Sequence, residues 1–400
     1  MALVPVADAL ARLLDDVTPC GAEDVRLADS AGRILAAPLR ALRTQPPFDA
    51  SAMDGYAVRA ADVATVPAQL RLIGEAAAGR RFARAIGQGE AVRIFTGAPL
   101  PAGADTIVIQ ENARVSGDTV EVLETVALGR HIRRRGLDFS EGDALLQAGR
   151  RLDPAAVSLA ASANHTHLSV TRRPVVAIIA TGDELLPPGS RPGPDQIISS
   201  NAYGVAAGLA SVGAHVVDLG ITPDRVDAIA ARLREALAMP ADVIVTLGGA
   251  SVGDHDLVHA ALTGEGMKLD FWKIAMRPGK PLMFGRLGST RCIGLPGNPV
   301  ASLVCTELFL KPLVARLGGA DYKNPVVEAV LGADMAENDL RQDYVRARLE
   351  GTDAALVATP FPVQDSSMLR TLADSGALII RAPFAPAAVK GSVCQVLRLH

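Results

Sequence analysis

Acidic residues beside glycine and proline give the first indication of chemistry in this sequence. Asp54, Asp183, Glu184, Asp224 and Asp256 all stand in or next to turn-forming segments. A single aspartate in such a segment commonly forms a turn or caps a helix. Mg²⁺, however, is usually held by one or two carboxylates together with the phosphate oxygens of a substrate. As a group, these carboxylates therefore predict a Mg²⁺-assisted reaction on a phosphorylated molecule.

Three glycine-containing loops could bind that phosphate. They are Thr181–Glu184, Gly248–Asp254 and Leu295–Pro299, and each follows an apolar segment. Ligands of open α/β sheets bind beyond the carboxyl ends of the strands, and backbone N–H groups in such loops attract anions. In the last loop, Asn298 is predicted to cap a helix that begins at Pro299. Each loop alone would be a tight turn, but the three together predict a ligand site. None of them is a P-loop or a complete GxGxxG motif.

Basic residues could supply the opposite charge. Lys273, Arg277 and Lys280 are interleaved with tryptophan, proline and glycine, which favours a rigid anion pocket. The arginines between residues 130 and 135 fit a solvated face as well as a binding site.

Several other functions are not supported. His255 and His259 have i,i+4 spacing, but no third ligand completes a zinc site. There is no GxSxG nucleophile motif. The net charge of -3 and the 4% aromatic content argue against nucleic-acid binding. No apolar run approaches the roughly 18 residues of a membrane span. Cys292 and Cys305 lie in apolar runs, so we expect inert thiols in a cytoplasmic protein.

The elements that must position these residues follow from hydrophobic periodicity. Residues 1–40 are predicted to be helical, with Val6, Leu10, Leu13 and Leu14 on one face. Residues 41–145 are rich in turns, with short strands at 91–95 and 119–123. Asp153 and Pro154 begin a helix over residues 153–165.

From about residue 170 the pattern alternates between strands and helices. This alternation predicts a parallel α/β sheet. Its strands are expected at 174–180, 215–219 and 242–247, and its helices at 202–212 and 225–238. Residues 321–400 return to period-two patterns and are predicted to form a small all-β domain.

Six segments carry a resemblance to a known family: Pro47–Ala57, Phe95–Val108, Thr181–Leu185, Gly248–Gly253, Arg277–Pro281 and Leu295–Pro299. Together they resemble the signature motifs of the MoeA molybdopterin molybdenumtransferases, whose eukaryotic relative is the gephyrin E domain. They are long, occur in the same order and are spread over most of the chain.

The resemblance implies a multidomain α/β and β protein with four domains, which dimerises head to tail. A three-layer α/β pterin-binding domain with a mixed or mostly parallel sheet would comprise residues 1–21 and 170–320. An elongated, partly helical dimerisation domain would comprise 22–40 and 142–169. An inserted β-rich domain would cover 41–141, and a small C-terminal β-barrel would cover 321–400.

The resemblance also implies the reaction. The family inserts molybdate into adenylylated molybdopterin in a Mg²⁺-dependent step and releases AMP and molybdenum cofactor. Molybdate is a tetrahedral dianion, which requires fixed N–H donors and cations. The pterin dithiolene would supply the metal's sulfur ligands, so no cage of cysteine or histidine is needed. Transient contacts with the molybdopterin adenylyltransferase and with apo-molybdoenzymes are expected.

Carried over residue by residue, the resemblance implies catalytic roles for Asp54, Thr96, Glu184, Lys273 and Arg277. In this assignment, Asp54 and Glu184 hold Mg²⁺ or molybdate, and Lys273 and Arg277 bind anionic oxygens. The residues implied to bind the pterin nucleotide are Asp224, Gly248, Gly249, Ser251, Gly253, Asp256, Lys280, Pro296, Gly297, Asn298, Pro299 and Ser366.

The sequence departs from the family pattern at four places. Ser200 precedes Asn201 where the family usually has aspartate, so one carboxylate is lost. Ala250 replaces a common valine, and Arg277 replaces a lysine found in some members. Asp374–Gly376 stands where Ala-Asn-Gly is usual, which affects the expected details of the last domain.

Three other functions are compatible with parts of the sequence. The adenylyltransferase of the preceding step shares the α/β domain, but it is a small single domain and lacks counterparts of residues 41–145 and 321–400. A non-catalytic scaffold, as the gephyrin E domain serves in receptor clustering, is disfavoured because no long linker or appended domain is present. A carrier that stores the pterin without inserting metal would use the same pocket, and tungstate would fit as molybdate does.

Overall fold

The computed structural model describes residues 3–248, 257–352 and 355–399. Two compact units are distinguished by their internal contacts. The large unit comprises Met1–Glu23, Gly32–Ala36 and Val170–His400, and the small unit comprises Asp24–Ala31 and Ala37–Ser169. Among the described residues, every helix is too short or too polar to cross a lipid bilayer.

The small unit is built on a six-stranded mixed sheet. Alternation places Tyr56 and Val58 on one face of the strand Gly55–Val58 and Ala57 on the other, and all three are buried in cores on opposite faces. The strands predicted near 91–95 and 119–123 are confirmed. In spatial order, the strands are Thr106–Ile109, Gly55–Val58, Glu90–Ile94, Ala68–Ala76, Thr119–Val122 and Ala113–Ser116.

Short elements complete the small unit. The predicted helix is present as Pro154–Ser162, and Asp153 caps it by accepting a hydrogen bond from the Ala156 N–H at 2.8 Å. Two further strand pairs are Leu39–Arg40 with Ala144–Leu146 and Ala50–Ser51 with Ile132–Arg133, and Ala22–Arg26 pairs with His167–Thr171. Its 3₁₀ turns are Leu27–Asp29, Ala60–Val63 and Gln110–Asn112.

The prediction of helix over residues 1–40 is wrong beyond the first turns. The helix covers Val6–Leu14 only, with Leu13 fully buried and Val6, Leu10 and Leu14 packed on the same core. Asp16 then adopts a positive φ of 55°, a conformation that cannot continue a right-handed helix. A strand, Ala22–Arg26, follows instead.

The large unit contains a six-stranded sheet covered by helices on both faces. Ile178 and Ile179, adjacent in one strand, enter separate buried cores on the two faces, as expected of a central strand. In spatial order, the strands are His215–Thr222, Val175–Thr181, Val243–Leu247, Thr290–Leu295, Met283–Leu287 and Lys268–Phe271. The first four run parallel, Met283–Leu287 runs antiparallel to them, and Lys268–Phe271 pairs antiparallel with Met283–Leu287, so the predicted three-layer domain with a mostly parallel sheet is confirmed.

The helices of this α/β part connect the strands as the alternation predicted. They are Asn201–Ala210, Val226–Ala238, Leu257–Gly264, Pro299–Cys305 and Lys311–Leu317, with a π-helical segment at Thr306–Leu310. A short parallel pair joins Leu185–Leu186 to Ile197–Ile198. Cys292 and Cys305 are buried as expected, and burial raises the pKa of the Cys292 thiol to about 12.

The C-terminal part of the large unit is a closed five-stranded barrel, as predicted. The ring closes because Gln342–Thr352 pairs with both Ala355–Pro360 and Ala377–Arg381. The other two strands are Val326–Leu331 and Val393–Arg398, and a short helix covers Leu369–Ala373. A sixth strand, Met276–Arg277, comes from the α/β part and pairs in parallel with Gln342 and Asp343.

Candidate functional site

A cleft of about 720 Å³ opens at the carboxyl ends of the parallel strands in the large unit. This is where an open α/β sheet binds its ligand. Of the predicted site residues, the cleft brings together Glu184, Asp224, Gly248, Pro296, Gly297, Asn298 and Pro299. Residues that the prediction did not include also line it, among them Thr181, Ser199, Ser200, Asn201 and Ser367.

The turn Pro296–Pro299 is anchored from two directions. The Asn201 side-chain amide donates to the Gly297 carbonyl at 2.7 Å, and the Ser302 hydroxyl donates to the Pro296 carbonyl. Because its carbonyl groups are occupied in this way, the turn presents exposed Gly297 and Asn298 to the cleft. The rigid turn leads into the helix that begins at Pro299, whose N-terminal end favours anions.

Asn298 occupies the N-cap position but does not cap the helix with its side chain. That prediction is wrong, because the Val300 N–H already donates to the carbonyl oxygen of Ser366 at 3.1 Å. The Asn298 amide nitrogen instead donates to the Ser366 hydroxyl at 2.8 Å. Ser366 is therefore placed beside the cleft by two contacts with the turn.

Gly248 ends the strand Val243–Leu247 with a φ of +92°, and a Cβ there would lie 2.6 Å from the Thr181 carbonyl oxygen. Only glycine fits such a close approach between two strand ends without strain. The adjoining predicted residues Gly249, Ser251, Gly253 and Asp256 lie outside the described residues.

Three carboxylates follow two neighbouring parallel strands: Asp183 and Glu184 come after Val175–Thr181, and Asp224 comes after His215–Thr222. The Asp224 N–H donates to the Asp183 carboxylate at 3.1 Å, while Glu184 and Asp224 line the cleft. Burial raises the pKa of Asp224, and the charges of Asp183 and Glu184 raise it further. A cation at this position would therefore relieve repulsion that the unliganded protein carries.

The donor set fits Mg²⁺ as a substrate-bridging ion. Among the described residues, no group of three or more histidine, cysteine or acidic side chains forms a ready-made cage. Mg²⁺ does not need one, because it commonly combines one or two carboxylates with water and substrate phosphates. Thr222, two positions before Asp224, is only 1% exposed. Within the described sheet, its hydroxyl has no hydrogen-bond partner, so it is a further polar group near this position.

The predicted cations lie elsewhere. No lysine or arginine is found among the described residues that line the cleft. The Arg277 guanidinium pairs with the Asp343 carboxylate and approaches Asp339 at 3.6 Å, within a second cavity of about 710 Å³ beside the barrel. Lys273 and Lys280 flank the loop leading to it, with the Lys280 carbonyl accepting from the Ile274 N–H. Their role in anion binding stays a prediction.

The small unit holds the other two predicted catalytic residues. The Asp54 carboxylate accepts hydrogen bonds from the Thr96 backbone N–H at 2.7 Å and from the Thr96 hydroxyl at 2.8 Å. These bonds, the backbone one first, lower the pKa of Asp54. Nearby, the Arg93 guanidinium lies over the rings of both Tyr56 and Phe95. Asp54 is thus a fixed, ionised carboxylate at neutral pH.

Sequence reasoning missed Arg346. This arginine is 1% exposed on the outer face of the barrel strand Gln342–Thr352, where it donates to the Asp365 carbonyl at 2.8 Å and to the Gln364 side-chain oxygen at 3.2 Å. It thereby holds the segment that carries Ser366 and Ser367 to the cleft. Because Arg346 alternates with the inward-facing Val345 and Ala347, its place in the sequence is that of a solvent-facing residue, and no local pattern predicts its burial.

A mostly parallel sheet with helices on both faces and a polar cleft at its strand ends defines a protein of the three-layer α/β class. Three family models match this chain. Residues 4–164 match "MoeA N-terminal region (domain I and II)", residues 177–316 match "Probable molybdopterin binding domain", and residues 328–399 match "MoeA C-terminal region (domain IV)". The chain therefore belongs to the MoeA family.

Individual relatives agree with this assignment. The molybdopterin molybdenumtransferase of Nostoc sp. is 38% identical over 340 residues, which cover 83% of this chain and 78% of the relative. The Bacillus subtilis enzyme of the same name is 34% identical over 406 residues, covering 99% and 94%. The crystal structure of the molybdopterin biosynthesis MoeA protein from Pyrococcus horikoshii is 28% identical with a TM-score of 0.87, over 99% of both chains.

Proposed function

We propose that this chain is a molybdopterin molybdenumtransferase that inserts molybdate into adenylylated molybdopterin and releases AMP. The names of its relatives support this activity, as does the cleft that joins carboxylates to anion-binding turns. The phosphoanhydride bond between the pterin phosphate and AMP breaks with uptake of water. Two Mo–S bonds form between the pterin dithiol and molybdate as one Mo–O bond breaks, and the released oxygen leaves as water with the two thiol protons.

Within the cleft, the turn Pro296–Pro299 and the strand end at Gly248 face the phosphate oxygens. Glu184 and Asp224 would hold Mg²⁺, whose chemistry is to neutralise the charge that develops on the departing AMP phosphate. The raised pKa of Asp224 supports this assignment, because repulsion among the carboxylates favours a bound cation. Ser366, fixed by Asn298, supplies a hydroxyl at the cleft edge.

Asp54 and Thr96 are proposed to act in the same reaction, as the resemblance implies. The lowered pKa of Asp54 supports a role as an anionic ligand or base, since the carboxylate is charged at neutral pH. Lys273 is proposed to bind anionic oxygens through its mobile ammonium. Arg277 would do so only if a substrate anion competes with its partner Asp343.

We further propose that the protein is a cytoplasmic homodimer. Its transient partners would be the adenylyltransferase that supplies the adenylylated pterin and the apo-molybdoenzymes that accept the product. The elongated head-to-tail dimer implied by the family resemblance supports this assembly. Sedimentation at micromolar concentration tests it, and a monomer at all concentrations contradicts it.

AMP release from adenylylated molybdopterin tests the activity. With Mg²⁺ and micromolar molybdate, we expect release together with a product that activates an apo-molybdoenzyme. Chelation of Mg²⁺ should stop release, and Asp54→Ala should abolish it while the unfolding midpoint is retained. Tight binding of the substrate without molybdate-dependent release would contradict the transferase and identify a carrier. Replacing molybdate with tungstate measures the preference between these two dianions.

A further inference from the structure

A second, smaller cavity adjoins the cleft and is not used by the chemistry described above. Its volume is about 230 Å³, and it shares Ala180 and Ser199 with the cleft. Its apolar wall consists of Pro187, Pro188, Tyr203 and Ile221. The cavity is therefore an apolar side chamber of a polar site.

The fold fixes one carboxylate in this chamber. Asp218 lies on the edge strand of the sheet, opposite Ile178 in the parallel pairing. Gly220, with a φ of +78°, turns the strand so that its N–H donates to Asp218 Oδ1 at 2.8 Å. Among the described residues, the arginines Arg172 and Arg225 pair with Asp242 and Asp227 and not with Asp218. The chamber thus combines apolar walls with an unneutralised carboxylate held in position.

The chamber is too small for a whole ligand. Complete small-molecule sites have volumes of roughly 300–1,000 Å³, so a chamber of about 230 Å³ accommodates one ring system. The neighbouring cleft of about 720 Å³ would take the phosphates. Tyr203, at 57% exposure, adds an aromatic surface that a flat ring could cover.

Resting on the proposed function, we propose that this chamber binds the pterin ring of the substrate and that Asp218 recognises its 2-amino-4-oxo edge. That edge presents two adjacent N–H donors, the ring N3–H and the exocyclic amine, which match the two oxygens of a carboxylate. Adenine presents one amine beside an acceptor nitrogen, so it would place a lone pair against the second oxygen. The donor pattern therefore selects the pterin over the adenine of the same substrate.

Binding of two ligands to the full-length protein tests this assignment. The ligands are adenylylated molybdopterin and molybdopterin without the nucleotide, titrated anaerobically. Asp218→Asn replaces one acceptor with a donor, so we expect both dissociation constants to rise by about tenfold. Tyr203→Ala should weaken both in the same direction. Asp321→Asn and Phe384→Ala, at exposed positions in other parts of the chain, are matched controls that should leave both constants unchanged.

Each outcome of these titrations either supports or overturns the assignment of the chamber to the pterin ring. Equal weakening of both ligands supports recognition of the pterin. Weakening of the adenylylated ligand alone would mean that the chamber holds adenine, and unchanged constants would mean that it holds neither ring; both results overturn the proposal. If the wild-type protein binds neither ligand, the proposed function itself fails. This result is distinct from weaker binding by the variants, which concerns the chamber alone.

Discussion

Thr96 binds Asp54 twice, through its backbone N–H and through its hydroxyl, and both bonds reach the same carboxylate oxygen, Oδ1. Within the described residues, the other oxygen, Oδ2, accepts no hydrogen bond from the protein. The pair therefore orients one carboxylate, keeps it ionised and leaves one oxygen for a ligand. Such an arrangement suits a group that must contact a cation or move a proton.

Removing the Thr96 hydroxyl should weaken this control without abolishing it. In Thr96→Val the backbone N–H still donates, so the pKa of Asp54 should rise only part of the way toward its ordinary value. The acid limb of the pH–rate profile for AMP release should then move to higher pH, and kcat should fall by about tenfold. Thr96→Ser keeps both donors and is the matched control. Identical profiles for Thr96→Val and wild type would contradict the role of the hydroxyl.

Neutralising Asp224 should stabilise the protein at pH 7. Its pKa is raised in the folded state, so its ionisation opposes folding once the pH exceeds its ordinary value of about 3.9. Asp224→Asn should raise the unfolding midpoint at pH 7, with the gain disappearing near about pH 3. The same variant should lose Mg²⁺-dependent AMP release.

Asp227 provides a control of opposite sign for that experiment. The hydrogen bond from the Arg225 guanidinium lowers the pKa of Asp227. The charged Asp227 carboxylate therefore favours folding at pH values above its ordinary pKa, and this contribution is lost as the pH falls. Asp227→Asn should therefore lower the midpoint at pH 7. A lower unfolding midpoint for both Asp224→Asn and Asp227→Asn would show that repulsion around Asp224 does not destabilise the folded protein.

Gly248 should tolerate no side chain. Gly248→Ala combines a positive φ with a Cβ 2.6 Å from the Thr181 carbonyl, so we expect a loss of about 3 kcal/mol in the free energy of unfolding. Gly213→Ala has a similar φ of +96° with nothing within 4 Å, and should cost about 1 kcal/mol. Urea denaturation measures both. Equal losses would indicate that the close approach carries no energy of its own.

Arg346 should matter for both stability and substrate affinity. Arg346→Met leaves the carbonyl of Asp365 without its donor, while the Gln364 side chain keeps only the bond from the backbone N–H of residue 346, and the change should cost about 2–4 kcal/mol. Because the segment bearing Ser366 would be released, KM should rise more than kcat falls. Arg348→Met, two positions further on, removes only an exposed guanidinium over the Phe361 ring and should cost less than about 1 kcal/mol. An unchanged KM in a folded Arg346→Lys protein would argue against positioning.

Elements with local determinants could be predicted from the sequence. Asp153 and Pro154 define the start of their helix because a cap and a first-turn proline act within a few residues. The central strand Val175–Thr181 could be recognised because burial on both faces requires a continuous apolar run. The loops at the ends of such strands then fall at one edge of the sheet by topology alone.

The errors arose where distant residues decide. The apolar pattern of residues 15–40 resembled a helix, but the Cys20 N–H donates to the carbonyl of Leu317 at 2.7 Å, far along the chain. The Asn298 side chain does not cap its helix, because the distant Ser366 carbonyl already accepts the hydrogen bond from the Val300 N–H. The pairing of Arg277 with Asp343 of the barrel likewise joins residues far apart in the chain, while its role in anion binding stays a prediction. No local pattern contains such pairings.

The strand Met276–Arg277 has a consequence for how this protein can be divided. It belongs by sequence to the α/β part, yet its hydrogen bonds go to Gln342 and Asp343 in the barrel. A chain cut near residue 320 would leave that strand with a bare edge, Arg277 without its counterion and the Val300 amide without its acceptor. A transplanted barrel would have to bring complementary groups at all three places. The α/β part and the barrel of this chain therefore depend on each other for these three contacts, so a cut near residue 320 should destabilise both.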